Sequence, residues 1–254
     1  MTDRISAALH RLEQEKDCRI LFAVESGSRA WGFASPDSDY DIRAVFVRPL
    51  SAYLRVGGEA DETFSAMLPD DLDIVGWDLR MYLRHLLKSN ASVLEWLDSP
   101  IVYLDSGLRQ ELCGMKEEFV KPVSVAFHYA SLLRHSLEDF DADGTIRIKK
   151  LCYALRAGLC ARWAVKRETM PPTRFADVLA GTDLSSAERG AIDDLLSVKA
   201  NAGEVVRVTP SPALLPLIAD RLDELAEMKV QKPESDAATL REKADTLFRK
   251  YVLG

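Results

Sequence analysis

Paired cysteines are missing from this chain. Its four cysteines, Cys18, Cys113, Cys152 and Cys160, form no C-x-x-C pair. That argues against a zinc centre and against a disulfide scaffold, and it fits idle thiols in a reducing compartment. The four histidines, His10, His85, His128 and His135, show no spacing that a metal or a nucleophilic triad requires. Long apolar runs are missing as well: nothing approaches the roughly 18 uninterrupted apolar residues of a membrane span. Met1 to Arg19 carries charges throughout and no apolar core, so no secretory leader is expected. An excess of basic residues is also absent. Lys and Arg number 33 against 40 Asp and Glu, a net charge of −7, so a broad positive face that tracks duplex nucleic acid is not expected. No repeat of fixed period is evident. These absences together predict a soluble, cytoplasmic protein without membrane contact.

What is present reads as a folded globular chain. Its 254 residues are 47% hydrophobic and 29% charged, enough for one large domain or two ordinary ones. Ile5, Ala8, Leu9 and Leu12 recur at helical spacing within residues 2–16. Arg19 to Glu25 is a short apolar run stopped by Ser26-Gly27-Ser28, and it reads as a buried strand. Tyr40 to Val47, closed by Pro49, predicts a second strand, and Asp71 to Trp77 a third. Arg55 to Ala66 reads as a loop or hairpin edge.

Strand signals nearly vanish after Asp78, which is placed to cap a helix. Helices are expected from there through Leu87, over Ala91–Leu97, Leu108–Phe119, Val123–Phe140, Thr145–Lys166, Arg174–Leu179, Leu184–Val198, Ala213–Met228 and Ala237–Val252. The predicted fold class is α+β: a small mixed sheet with flanking helices over residues 1–110, followed by an all-helical domain over 111–254.

The informative segment runs from Glu25 to Arg43, ESGSRAWGFASPDSDYDIR. It opens where a strand ends, at Gly27-Ser28. Glycine has no side chain to keep backbone N–H groups away from an anionic phosphate, and Ser28 adds a hydroxyl. Asp39 and Asp41 follow at the second strand, where alternation puts both on one face, with Cα atoms about 6.5 Å apart. Asp73 on the third strand joins them if the two strands pair with that face aligned. Three such carboxylates suit hard divalent ions, and two ions about 4 Å apart clamp the attacking and leaving oxygens of an in-line displacement. Positioning and charge neutralisation do most of the work in phosphoryl-type transfer.

Each fragment has a plainer reading. A Gly-Ser pair is usually only a turn. The Asp37, Asp39, Asp41 series could be a solvated edge or a calcium loop. A calcium loop of the EF-hand kind needs Gly at position six and Glu at twelve; counted from Asp37, these are Ile42 and Arg48. For the third acid, parity excludes Asp70 and leaves Asp71 as a same-face rival. Asp73 is preferred because it lies inside the apolar strand, where a carboxylate needs a partner. Neighbouring carboxylates repel, so their conjunction costs stability unless cations neutralise it.

A strand, Gly-Ser, a gap of ten residues, Asp-x-Asp on a second strand and a later strand Asp together resemble the DNA polymerase β-type nucleotidyltransferase superfamily. More narrowly, Glu25 to Pro49, LDIVGWDL at 72–79, LKSN at 87–90 and IKKLCYALR at 148–156 are similar to bacterial and phage predicted nucleotidyltransferases associated with RNA ligases and RNA repair. The resemblance implies a nucleotidyltransferase domain in the amino-terminal part. It implies Gly27 and Ser28 as the triphosphate-binding turn, Asp39 and Asp41 as metal ligands, and Asp73 as the third carboxylate, which activates the acceptor. It also implies Mg²⁺ (or Mn²⁺) and a nucleoside triphosphate, with an RNA ligase or repair enzyme as partner.

Further charged residues extend the candidate set. Lys149, Tyr153 and Arg156 share one face of a long helix, with Lys150 beside them, a basic-aromatic stripe that can bind phosphates and stack a base or be simply a solvated face. Arg29 and Arg43 are candidates for the triphosphate, and Arg43 alternatively for neutralising the carboxylates. The expected activity is transfer of a nucleotidyl group from NTP to an acceptor hydroxyl on an RNA end, a protein or a small molecule, with release of pyrophosphate. The competing expectations are a non-catalytic nucleotide-binding regulatory module and an antitoxin-like partner protein.

Overall fold

The structure is a computed structural model that describes residues 1–57, 61–69, 71–201, 206–219 and 237–254. Gly58, Asp70, most of the helix expected over Ala213–Met228 and the segment after it lie outside the described residues. Packing divides the chain into two compact units: Met1–Ala30, Asp39–Phe119 and Pro233–Gly254 form the first, Trp31–Ser38 and Val120–Lys232 the second.

The first unit is built on a five-stranded mixed sheet. Its strands are β1 (Arg19–Glu25), β2 (Tyr40–Val47), β3 (Thr63–Leu68), β4 (Leu72–Asp78) and β5 (Val102–Asp105), in the order β3-β4-β2-β1-β5. β2 and β4 run parallel in the centre, and the remaining neighbours are antiparallel. Helix α1 (Thr2–Lys16) covers one face. Its stripe of Ile5, Ala8, Leu9 and Leu12 packs in a single core with Ile42, Ala44 and Phe46 of β2 and Leu72 and Ile74 of β4. Each of the larger side chains contributes about 1.5–3 kcal/mol by leaving water. Gly76 has a packing reason to lie within β4: a Cβ there would stand 2.2 Å from Phe64 Cζ, whose ring stacks on Phe46 at 5.1 Å.

The opposite parity carries Asp41, Arg43 and Val45 on β2 and Asp73, Val75 and Trp77 on β4. Helices α4 (Leu79–Leu87) and α5 (Ala91–Leu97) supply aromatic packing there, with Tyr82 edge-on to Phe22 and Trp96 against Trp77. Asp78 caps α4, its carboxylate accepting from Arg80 N at 2.8 Å, as expected for an N-cap aspartate. Short α2 (Gly27–Trp31) follows β1, and α3 (Leu50–Tyr53) follows β2. α6 (Leu108–Phe119) follows β5. The stretch read as a loop or hairpin edge contributes β3, antiparallel to β4. The edge strand β5 is a four-residue element that the sequence reading did not place.

The second unit is helical, with α7 (Pro122–Leu137), α8 (Ile148–Arg167), α9 (Phe175–Ala180), α10 (Ser186–Asn201) and α11 (Leu215–Ile218). A two-stranded ribbon of β6 (Ile146–Arg147) and β7 (Arg207–Val208) accompanies them. α8 is central and packs with α7, α9, α10 and α11. Segment Trp31–Ser38 belongs to this unit as well: Trp31 lies 5.0 Å from Tyr153, Phe33 lies 5.6 Å from Phe175, and Lys199 Nζ donates to Ser35 Oγ at 2.6 Å. The last helix, α12 (Ala237–Leu253), belongs to the first unit, where Phe248 meets Tyr53. Mixed α/β architecture with a small sheet and many helices is thus the fold class, as the patterning predicts. No described helix is long and apolar enough to cross a membrane.

Candidate active site

Three chain features coincide at one end of the inner strands: β1 ends, β2 and β4 begin, and the Gly27-Ser28 turn starts. Parallel pairing sets Asp41 directly beside Asp73 in register. Because both have the parity opposite to the α1-facing core, their carboxylates emerge side by side, and each side chain retains about a quarter of its exposure. The cation between them is Arg43. Its Nη2 stands 2.8 Å from Asp41 Oδ1 and 2.9 Å from Asp73 Oδ2, while Nη1 donates to the carbonyls of Ile42 at 3.0 Å and Asp73 at 3.2 Å. Asp41 and Asp73, brought together by strand pairing rather than by alternation along one strand, are therefore held as a pair by a guanidinium from the same face.

Asp39 precedes β2 and is half-buried, and its carbonyl accepts from Arg29 Nε at 3.0 Å. The Arg29 guanidinium lies 3.7 Å over the Tyr40 ring. Arg29 thus braces the approach to β2. Among the described residues, no three acidic, histidine or cysteine side chains gather closely enough to enclose a metal ion. What the structure assembles is the Asp41–Asp73 pair. Asp71, the same-face rival, is an exposed turn residue with φ of 56°, and its carbonyl accepts from Tyr40 N.

Gly27 is required twice over. Its φ is +62°, a left-handed conformation that disfavours any Cβ, and a Cβ there would lie 2.2 Å from Asp41 Oδ2. The two oxygens of Asp41 are accordingly divided, Oδ1 toward Arg43 and Oδ2 toward the Gly27 backbone. Ser28 is buried behind this turn.

Behind Asp41 sits a carboxylate that the sequence reading did not single out. Glu25, at the end of β1, is 1% exposed. Its Oε1 accepts the Asp41 backbone N–H at 2.8 Å, and its Oε2 accepts the Tyr103 hydroxyl. Ser26 N donates to the Asp41 carbonyl at 2.8 Å, so both backbone groups of Asp41 are tied to the end of β1. Burial pushes the Glu25 carboxyl above its ordinary range, against the hydrogen bonds from Tyr103 and Asp41. The sequence did contain a signal: Glu25 is an acid closing an otherwise apolar strand, where it has to find hydrogen-bond donors.

The residues proposed on α8 lie in the second unit. Arg156 is 2% exposed; its guanidinium stacks 4.4 Å over Trp31 and donates to the Thr173 carbonyl at 3.1 Å. Tyr153 packs edge-on to Trp31 and Phe33. Lys149 and Lys150 are half-buried in the first turn of α8. The aromatic and arginine members of the expected stripe, Tyr153 and Arg156, pack against Trp31.

A pair of hard oxygen donors that already holds one cation fits a divalent ion in donor chemistry and in charge. Comparisons with known proteins bear on what such a pair does. Residues 1–250 match the profile of the RNA repair pathway DNA polymerase beta family. A Bacillus subtilis (strain 168) protein described as the uncharacterized protein YcgL is 35% identical over 239 residues, covering 92% of each chain. A solved structure, that of a nucleotidyltransferase-like protein from Exiguobacterium sibiricum 255-15, aligns over 98% of this chain and 76% of that one, at 11% identity and a TM-score of 0.32.

Proposed function

This chain belongs to the RNA repair pathway DNA polymerase beta family, and from that membership we propose that it transfers a nucleotidyl group from a nucleoside triphosphate to an acceptor hydroxyl. The observation that carries the reading is the register pairing of Asp41 with Asp73 beside the Gly27 turn. Strand parity alone does not bring two carboxylates onto one cation; this pairing does.

The backbone of Gly27 and Ser28 receives the triphosphate, since Gly27 carries no side chain of its own and its neighbour there is the Asp41 carboxylate. Asp39, Asp41 and Asp73 are the residues that would hold Mg²⁺ or Mn²⁺, which when bound neutralises charge on the phosphates and the leaving group. Glu25 keeps Asp41 in place through its backbone N–H. Asp73 takes the proton of the acceptor hydroxyl as that oxygen attacks the α-phosphorus. The bond from the α-phosphorus to the bridging oxygen breaks, and pyrophosphate leaves with the electron pair. Among acceptors, the terminal hydroxyl of an RNA is the first choice: the family is described by RNA repair, and a net charge of −7 suits contact with an end better than with a long duplex.

The test is transfer of label from α-labelled NTPs to RNA ends and to pooled protein and small-molecule acceptors, with and without Mg²⁺. Asp41→Asn is expected to reduce transfer by more than the ~10–100-fold that loss of an outer-shell partner costs. Full transfer by Asp41→Asn, or none by the wild type with any acceptor, sinks the reading. Nucleotide binding without turnover would point instead to a regulatory module.

A further inference from the structure

We infer that Arg43 is a built-in competitor for the divalent cation, so that the acid pair takes up the ion strongly only when a triphosphate arrives with it. The inference deepens the proposed reaction and rests on it for the identity of the anion, but its test does not depend on turnover.

The argument begins with occupancy. The bridging position between Asp41 Oδ1 and Asp73 Oδ2 is filled by Arg43 Nη2, at 2.8 and 2.9 Å. Arg43 lies on the same strand, two residues from Asp41, so its effective concentration at that position is high and constant. Its side chain is only 19% exposed, and water screens the pair less than it screens a surface pair. A divalent ion entering between these oxygens has to displace a cation that is already in place.

Displacement leaves a second problem. Among the described residues, a guanidinium removed from both carboxylates keeps only the carbonyls of Ile42 and Asp73 as partners, which is a poor environment for a half-buried charge. An incoming triphosphate removes that difficulty, because its oxygens match the guanidinium fork. It also arrives at the right place: the other oxygen of Asp41, Oδ2, lies against Gly27 in the turn proposed to receive it. One carboxylate therefore touches both the resident cation and the anion turn. Ion and nucleotide are then coupled ligands, and the coupling is reciprocal.

The experiment measures Mn²⁺ binding to the full chain by the electron paramagnetic resonance signal of the free ion, with and without a non-hydrolysable NTP. The wild type is expected to bind Mn²⁺ weakly alone and on the order of 10-fold more tightly with the nucleotide, within the usual range of coupling between sites. Arg43→Met is expected to bind Mn²⁺ alone about 10-fold more tightly than wild type and to lose most of the nucleotide-induced gain. Arg43→Lys, which keeps the charge without the fork, should fall between them, and it decides the matter if Arg43→Met does not fold. Mn²⁺ affinity without nucleotide that is no tighter than wild type in the folded variants overturns the inference. If no acceptor is ever labelled while the variants shift Mn²⁺ affinity as stated, the proposed reaction fails and the cation exchange stands.

Discussion

The sheet face bearing Asp41, Arg43 and Asp73 and the helix face bearing Lys149, Tyr153 and Arg156 are both charged stripes that simple spacing identifies, and they come to opposite ends. On the sheet, parallel pairing concentrates opposite charges at a strand edge and leaves each about a fifth to a quarter exposed. On α8, the arginine is sealed from water and the tyrosine is packed among rings. A charged side chain at a buried helical position needs π faces and carbonyls around it, and Arg156 has Trp31, Tyr129 and the Thr173 carbonyl. A charged side chain at the end of an inner strand needs only a counter-charge, and it remains available to a ligand. The lesson is that a stripe of ionisable residues becomes a site where the fold leaves it solvent on one side, and becomes core where other segments close over it.

That contrast can be broken experimentally. Removing the arginine tests it hardest: Arg156→Ala should destabilise the protein by about 2–4 kcal/mol, through a buried cavity and an orphaned carbonyl, read as a lower midpoint in urea. An unchanged midpoint with a raised KM for NTP would instead make α8 a binding face. Gly27→Ala should cost about 1–2 kcal/mol for the left-handed residue, yet its effect on transfer should exceed that on stability. The reason is that the nearest obstacle to the new Cβ is the carboxylate of Asp41, which can turn away only by leaving its place beside Arg43. Equal losses in both would show that Asp41 does not have to stay there. Lys150→Ala should change stability by less than about 0.5 kcal/mol, since a lysine in the first turn of α8 gains nothing from the helix dipole. A selective rise in KM for NTP with unchanged melting would mark that turn as the part of the helix face that meets phosphate.

Much of the fold could be read from periodicity. The bounds of α1, β1, β2, α5 and α6 coincide with those expected, because each is a self-contained amphipathic or apolar run with its stop signal nearby. β5 escaped notice because four half-exposed residues at an edge carry little pattern. Segment Trp31–Ser38 reads as an ordinary loop by composition, yet its rings and serines meet α8, α9 and α10, partners more than 100 positions away that no local pattern names. Glu25 was legible only as the last residue of a strand. Its role depends on Tyr103 and Asp41 arriving on either side of β1.

By itself the sequence determined which residues alternate, where α1, β1, β2, α5 and α6 start and stop, and that Asp41, Arg43 and Asp73 each project from an element with a defined face. These are properties of the backbone's own repeat and need no partner. Tertiary structure alone decided that residue 41 pairs with residue 73 rather than with its neighbours, that Arg43 closes over both, and that Arg156 is enclosed. Register and enclosure depend on which distant segments find each other, and a carboxylate acquires its cation only once that choice has been made.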